Sequence, residues 1–252
     1  MCGRFVLATQ PERLAEHFGA RLAPEIGELI APSWNVAPSR LVLAVTCSPG
    51  GERELRPFRW GLVPAFATDP TIGNRLVNAR AESVATKPAF RAAFQRRRAL
   101  VVADGFYEWR KDGAARVPFY FSRRDGAPLA FAGLYELWRP DADTPWLHTC
   151  TIITTVAGPD VAGVHDRMPV VLEREGQRDW LAPGGEPASL TALLGASPAG
   201  TLVSWPVDPA VGNPRSEGPS LLTARAADDG GGDGEHAAQQ LAFPGSGTAS
   251  GA

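Results

Sequence analysis

Apolar residues in this 252-residue chain come in short, β-branched and aromatic runs rather than long helical stripes, and that spacing most constrains the fold. Residues 41–46, 99–103, 118–122, 129–135, 148–155 and 201–207 read as strands, and Leu55, Phe58 and Trp60 belong to a further extended stretch. Helix signals are sparse. Thr9-Gln10-Pro11-Glu12 reads as a capping box with an early proline and opens a helix to Phe18. Pro88 can start a second helix, with Phe90, Ala93 and Phe94 on one face. Short helices are predicted over 174–181 and 189–194, and Arg96-Arg97-Arg98 reads as a solvated helix end. Helices so few and so irregularly placed cannot supply the crossovers of a regular βαβ series. The expectation is an α+β fold: one domain over residues 2–222, built on antiparallel, barrel-like β-sheets with a few short helices.

Composition narrows the function classes. No run of about 18 apolar residues is present, so no membrane-spanning helix is expected. The start lacks the basic-then-apolar layout of a secretory signal. Cys2, Cys47 and Cys150 are odd in number and far apart, which argues against a disulfide framework and a structural zinc site. A reducing cytoplasm is the expected compartment. Net charge is -2, but residues 226–252 carry four acidic and no basic side chains, so the remainder is +2. Residues 223–252, rich in Gly, Ala, Ser and Asp, have too few apolar groups to offset ordering entropy and are expected to be disordered.

Four stretches carry side chains that can do chemistry. The first is Cys2 itself. Removal of Met1 would place a free α-amine and a thiol on adjacent carbons, a pair no internal cysteine has. Such an amine titrates near 7.7–8.0 (roughly), so a useful fraction is neutral and nucleophilic at physiological pH. It can condense with an aldehyde to an imine, and the thiol can then close a five-membered thiazolidine ring. The bland alternative is a frayed terminus. The second is Glu108, within Gly105-Phe106-Tyr107-Glu108-Trp109 at a strand end. Apolar neighbours raise a carboxyl group's pKa toward acid–base use, whereas an edge-strand Glu would simply face water. Third comes His165, which is flanked by Asp166 and Arg167 and can shuttle a proton or merely be solvated. Asn78 and Arg80 complete the set: Asn can orient a reacting oxygen and Arg can grip a phosphate, although turn and surface roles are commoner for both.

In order along the chain stand MCGRF (1–5), WNVAPS (34–39), RWGLVP (59–64), NARAES (78–83), ADGFYEW (103–109), HDRMPV (165–170) and AVGN (210–213). With these pieces the chain resembles the SRAP family, the SOS response-associated peptidases or abasic-site-processing proteins. The resemblance implies covalent capture of abasic sites in single-stranded DNA, with Cys2, Asn78, Glu108 and His165 as catalytic residues. It implies DNA contacts from Arg4, Arg80, Trp34, Asn35, Pro38, Trp60, Phe66 and Arg167. Phe66 departs from the Trp that many members carry there, and keeps a π-face. Neither a cofactor nor a metal is implied. A monomer is expected, cytoplasmic and nucleoid-associated when on DNA. Two rivals stand beside it: a peptidase or amidase with Cys2 as N-terminal nucleophile, for which the same residues serve, and a non-catalytic single-strand DNA-binding module, whose binding would be indifferent to blocking the Cys2 amine.

Overall fold

The computed structural model describes residues 2–27 and 30–225. In chain order the elements are β1 (Phe5–Leu7), α1 (Pro11–Phe18), β2 (Arg21–Leu22), β3 (Ser33–Val36), β4 (Leu41–Cys47), β5 (Arg53–Trp60), β6 (Asn78–Arg80), α2 (Arg91–Arg96), β7 (Arg98–Ala103), β8 (Gly105–Asp112), β9 (Ala115–Arg123), β10 (Leu129–Trp138), β11 (Leu147–Val156), α3 (Pro159–Ala162), β12 (Arg167–Pro169), α4 (Arg174–Leu181), α5 (Pro187–Ala192) and β13 (Leu202–Pro206). Short 3₁₀ turns cover Pro70–Arg75, Pro209–Gly212 and Pro219–Leu222.

Two sheets result. A five-stranded antiparallel sheet runs β13-β9-β8-β1-β3, and a larger one runs β12-β11-β10-β7-β4-β5-β2. In the second, β11 also pairs in parallel with β5, which closes β11, β10, β7, β4 and β5 into a ring. The α+β, barrel-like expectation holds. The ring encloses side chains that alternation alone could not assign, because β7 is buried at every position. Phe5, Trp60, Phe106 and Phe131 pack there, with Phe5 5.0 Å from Trp60 and 6.2 Å from Phe131. No described helix is long and apolar enough to cross a membrane.

Asp104 separates the two sheets. It follows β7 and precedes β8, and its carboxylate accepts from the backbone N–H of Ala8 (2.6 Å) and Thr9 (2.9 Å) and from the Thr9 hydroxyl (2.6 Å). Thr9 therefore makes no capping box. Helix α1 starts instead from Gln10 without a side-chain cap, on the strength of Pro11 at its first position. It ends at Gly19, left-handed at φ 58, as helix ends commonly do. The second helix starts at Arg91, later than Pro88 suggested, and still buries Ala93 and Phe94.

The basic run is not a solvated helix end. Arg98 is buried, and its guanidinium donates to the carbonyls of Phe94 (2.9 Å), Gln95 (2.7 Å) and Trp180 (2.6 Å), and also to that of Ala182. One cation thus closes the C-terminal ends of both α2 and α4, where carbonyls lack helical partners. Arg97 meets the buried Glu136 at 2.8 Å. Residues 207–222 cross the outer face of the five-stranded sheet, burying Val207, Val211, Leu221 and Leu222 against Val6, Tyr107 and Tyr120. The expected boundary at 222 is not sharp, since Arg225 N–H still donates to the Pro206 carbonyl at 2.9 Å. The acidic and glycine-rich stretch expected to be disordered lies, from residue 226, outside the described residues.

Candidate active site

Register brings the candidate residues together at the seam between the two sheets. Strand β1 pairs with β8 at Phe5↔Phe106, and the Tyr107 N–H donates to the Arg4 carbonyl at 3.0 Å. Antiparallel continuation carries residues 2 and 3 alongside Glu108. On its other side β8 lies close against β9, which Gly105 permits: a Cβ there would collide with the Tyr120 hydroxyl and the Phe121 carbonyl. Across the seam, β11 lies between β6 and β12, pairing Ile152 with Asn78 and Val156 with Arg167. That sets Asn78 and the turn holding His165 at the same end of one strand. A hydrogen bond crosses the seam, from Asn78 Nδ2 to the Cys2 carbonyl at 2.7 Å.

Cys2 is fully buried. Burial, with the Glu108 charge adding to it, pushes the thiol far above its ordinary range, so it is held protonated. Glu108 is 2% exposed on β8. Burial raises its carboxyl group to about 7, and the charge of Asp166 acts in the same direction. His165 Nε2 lies 3.8 Å from Glu108 Oε2. Burial lowers the imidazole below its usual pKa, so at neutral pH this approach is not an ion pair. His165 Nδ1 accepts from the Arg167 N–H at 3.0 Å and lies 2.9 Å from Asp166 Oδ1. The first contact suits the neutral ring with its proton on Nε2, facing Glu108; the second needs a proton on Nδ1, in the other neutral tautomer or in the protonated ring. Asn78 Oδ1 is buried and has no hydrogen-bond partner among the described residues. An acceptor so placed is costly unless something donates to it. Among the described residues no three His, Cys, Asp or Glu side chains converge as a metal site would need.

The expected DNA contacts divide sharply. Arg80 and Phe66 are exposed, Phe66 at 64%. Arg4 is half-buried, donating from Nη1 to Asn35 Oδ1 (2.8 Å) and the Val211 carbonyl (3.0 Å), with no carboxylate partner among the described residues. Trp34 and Pro38 are half-exposed, and the Trp34 carbonyl accepts from the Tyr107 hydroxyl at 2.8 Å. Three others cannot present themselves as the resemblance implied. Trp60 is wholly inside, its Nε1 donating to the Val77 carbonyl at 2.8 Å. Asn35 is 2% exposed, and its Nδ2 donates to the carbonyls of Val211, Asn213 and Ser216. Arg167 grips Glu82 with both Nη atoms, at 2.6 and 3.1 Å, and the Thr154 carbonyl at 2.6 Å, bracing the His165 turn.

Asp166, Glu82 and Thr154, which the sequence reading did not single out, thus orient His165 or its turn. So does Glu217 for Trp34, accepting from the Trp34 N–H (2.9 Å) and the Ser33 hydroxyl (2.7 Å). Asp166 and Glu82 stood inside recognised stretches. Glu217 carried no local signal, because its partner is nearly two hundred residues away.

Residues 1–214 match the family described as "SOS response associated peptidase (SRAP)". The chain is 39% identical over 225 residues to the abasic site processing protein YoqW of Bacillus subtilis, covering 88% of this chain and 99% of that one. It is 34% identical to the abasic site processing protein YedK of Escherichia coli, over 88% and 99% of the two chains. A crystal structure of a protein from Bacteroides thetaiotaomicron superposes with a TM-score of 0.81 at 23% identity, over 89% of this chain and all of that one, a likeness of fold. The match over residues 1–214, with relatives 39% and 34% identical over nearly their whole length, leads to one conclusion: the chain belongs to the SRAP family.

Proposed function

We propose that this protein processes abasic sites in single-stranded DNA by forming a covalent adduct through Cys2. The observation that supports it most is the arrangement around residue 2: a buried cysteine whose carbonyl is fixed by Asn78, beside a carboxyl group poised near neutrality and a neutral imidazole. The named relatives are abasic site processing proteins.

The reading needs Met1 removed, freeing the Cys2 amine. An abasic deoxyribose exists in equilibrium with its open-chain aldehyde. The neutral amine adds to the aldehyde carbon, giving a carbinolamine. Glu108, protonated in part at neutral pH, donates a proton to the departing hydroxyl, so one water leaves and an iminium remains. The Cys2 thiol then adds to the iminium carbon as its proton passes to a base, and the ring nitrogen keeps the electron pair of the broken C=N bond. The product is a thiazolidine, one water lighter than protein plus DNA. His165, close to Glu108, takes and returns protons in this sequence. Asn78 Oδ1 accepts from the amine or from a sugar hydroxyl, which supplies the partner it lacks. Arg4 and Arg80 hold flanking phosphates, and Phe66 stacks on an unpaired base. A single strand needs no base pair broken to present the sugar. The setting proposed is a reducing compartment that also holds DNA, which keeps Cys2 a thiol.

A hydrolase with Cys2 as nucleophile would need a thiolate, and burial opposes that. Ring closure is intramolecular and onto an activated carbon, so a thiol suffices.

The test is a denaturing gel of Met-processed protein with an oligonucleotide carrying one abasic site, beside an intact-base oligonucleotide and Cys2→Ala protein. A shifted band needing both Cys2 and the lesion is expected. Cys2→Ser should give no heat-stable band, because an oxazolidine is far more labile. A stable Cys2→Ser adduct overturns the ring-closure step.

A further inference from the structure

Beyond Glu108, β8 runs on for four residues and turns back at Gly113 and Ala114 into β9. This projecting hairpin end is basic: Arg110, Lys111 and Arg116 are exposed, against a single acidic residue, Asp112. The register sets Lys111 directly opposite Arg116. Side chains so placed share one face about 5 Å apart, and like charges there are destabilising. Neither makes an ion pair among the described residues. Asp112 does not relieve them, because strand alternation points it to the other face. On that other face the Arg110 guanidinium lies 4.9 Å over the Phe119 ring. Phe119 is the cross-strand partner of Glu108. A stacked cation therefore sits two pairs beyond the buried carboxyl group, on the same face, with its hydrogen-bonding edge unused among the described residues. The Lys111 charge also bears on His165. A pair that costs stability, within about 10 Å of the site along one strand, asks for an anion to bridge it.

The geometry points to the β8–β9 hairpin as a phosphate-binding finger that holds the strand flanking the lesion, with Lys111 and Arg116 sharing one phosphate and Arg110, fixed on Phe119, engaging a neighbour. It rests on the single-strand reading above. The hairpin adds affinity and register, and leaves the bond-forming steps alone.

The experiment uses the full-length, Met-processed protein and its Lys111→Glu and Arg116→Glu variants. Binding to an intact single strand of about ten nucleotides, a length within the span of known single-strand sites, is followed by fluorescence anisotropy across a salt series. Capture is followed on two abasic oligonucleotides: one with a single nucleotide on each side, one with long flanks. Each variant should bind the intact strand several-fold more weakly, with a log–log salt slope shallower by about 0.7 for each phosphate that is no longer neutralised. Capture of the short oligonucleotide by Arg116→Glu should match wild type, and capture of the long one at low concentration should fall in both variants. The melting temperature of Lys111→Glu should be no lower than wild type, since repulsion becomes attraction. Unchanged affinity and slope in both variants overturn the inference, and so does an equal loss on short and long oligonucleotides. If wild type binds the strand and the variants weaken it, yet no adduct forms, covalent capture fails while the finger stands.

Discussion

Glu108 is a carboxyl group taken out of water and left beside a neutral imidazole, and its cost shows in stability. Its folded pKa, about 7, lies above its unfolded value near 4.5. The folded state therefore binds the extra proton between those two pH values, and stability falls as pH rises through that window. Replacing it with Gln should stabilise the protein at pH 8 by up to about 3 kcal/mol, and by nothing at pH 4, as measured by denaturant unfolding at the two pH values. The same variant should lose most capture, and the wild-type rate–pH profile should carry an inflection near 7 that the variant lacks. A variant less stable than wild type at pH 8 would mean that burial is not what raises the group.

At the scale of elements, two devices tie distant segments together. Asn35 joins the Arg4 guanidinium to the strap at 211–216. If it acts through Arg4, Asn35→Ala and Arg4→Ala should each weaken strand binding, and the double variant should be no worse than Arg4→Ala, a coupling of about 1 kcal/mol in a double-mutant cycle. Additive losses would assign Asn35 a purely structural role. Arg98 closes two helix ends from inside the core. Arg98→Met fits the space but leaves buried carbonyls without donors, at about 1 kcal/mol each. With four carbonyls losing their donor, a loss of roughly 4 kcal/mol is expected in denaturant unfolding, with capture per folded molecule unchanged. The sequence could show three consecutive arginines, yet not that the third points inward, because the carbonyls it satisfies at Trp180 and Ala182 are over eighty residues away.

Across the whole molecule, the α+β class and the long strands other than β8 were legible because apolar runs such as β7 and β10 have no other use, whereas β8 follows β7 after a single residue and places Glu108 mid-strand rather than at a strand end. The short strands β1, β3, β6 and β12 were not, since three or four residues carry no periodicity and exist only as partners of longer strands. The motif order named the stretches Cys2, Asn78, Glu108 and His165 belong to. It could not say that Trp60 and Asn35 face inward, because a motif records that a residue is needed and not on which side of a sheet it lies. Topology supplies that: the ring closed by β11 and β5 buries Trp60, and the strap buries Asn35.

The most direct test of the central claim is intact-mass spectrometry of the adduct between Met-processed protein and an abasic oligonucleotide, before and after borohydride. A thiazolidine has no C=N bond, so the account predicts the summed masses less one water, unchanged by borohydride. A gain of two hydrogens would show an open imine in which the Cys2 thiol takes no part, and the mass of an adduct that persists with Met1 still attached would contradict the account outright.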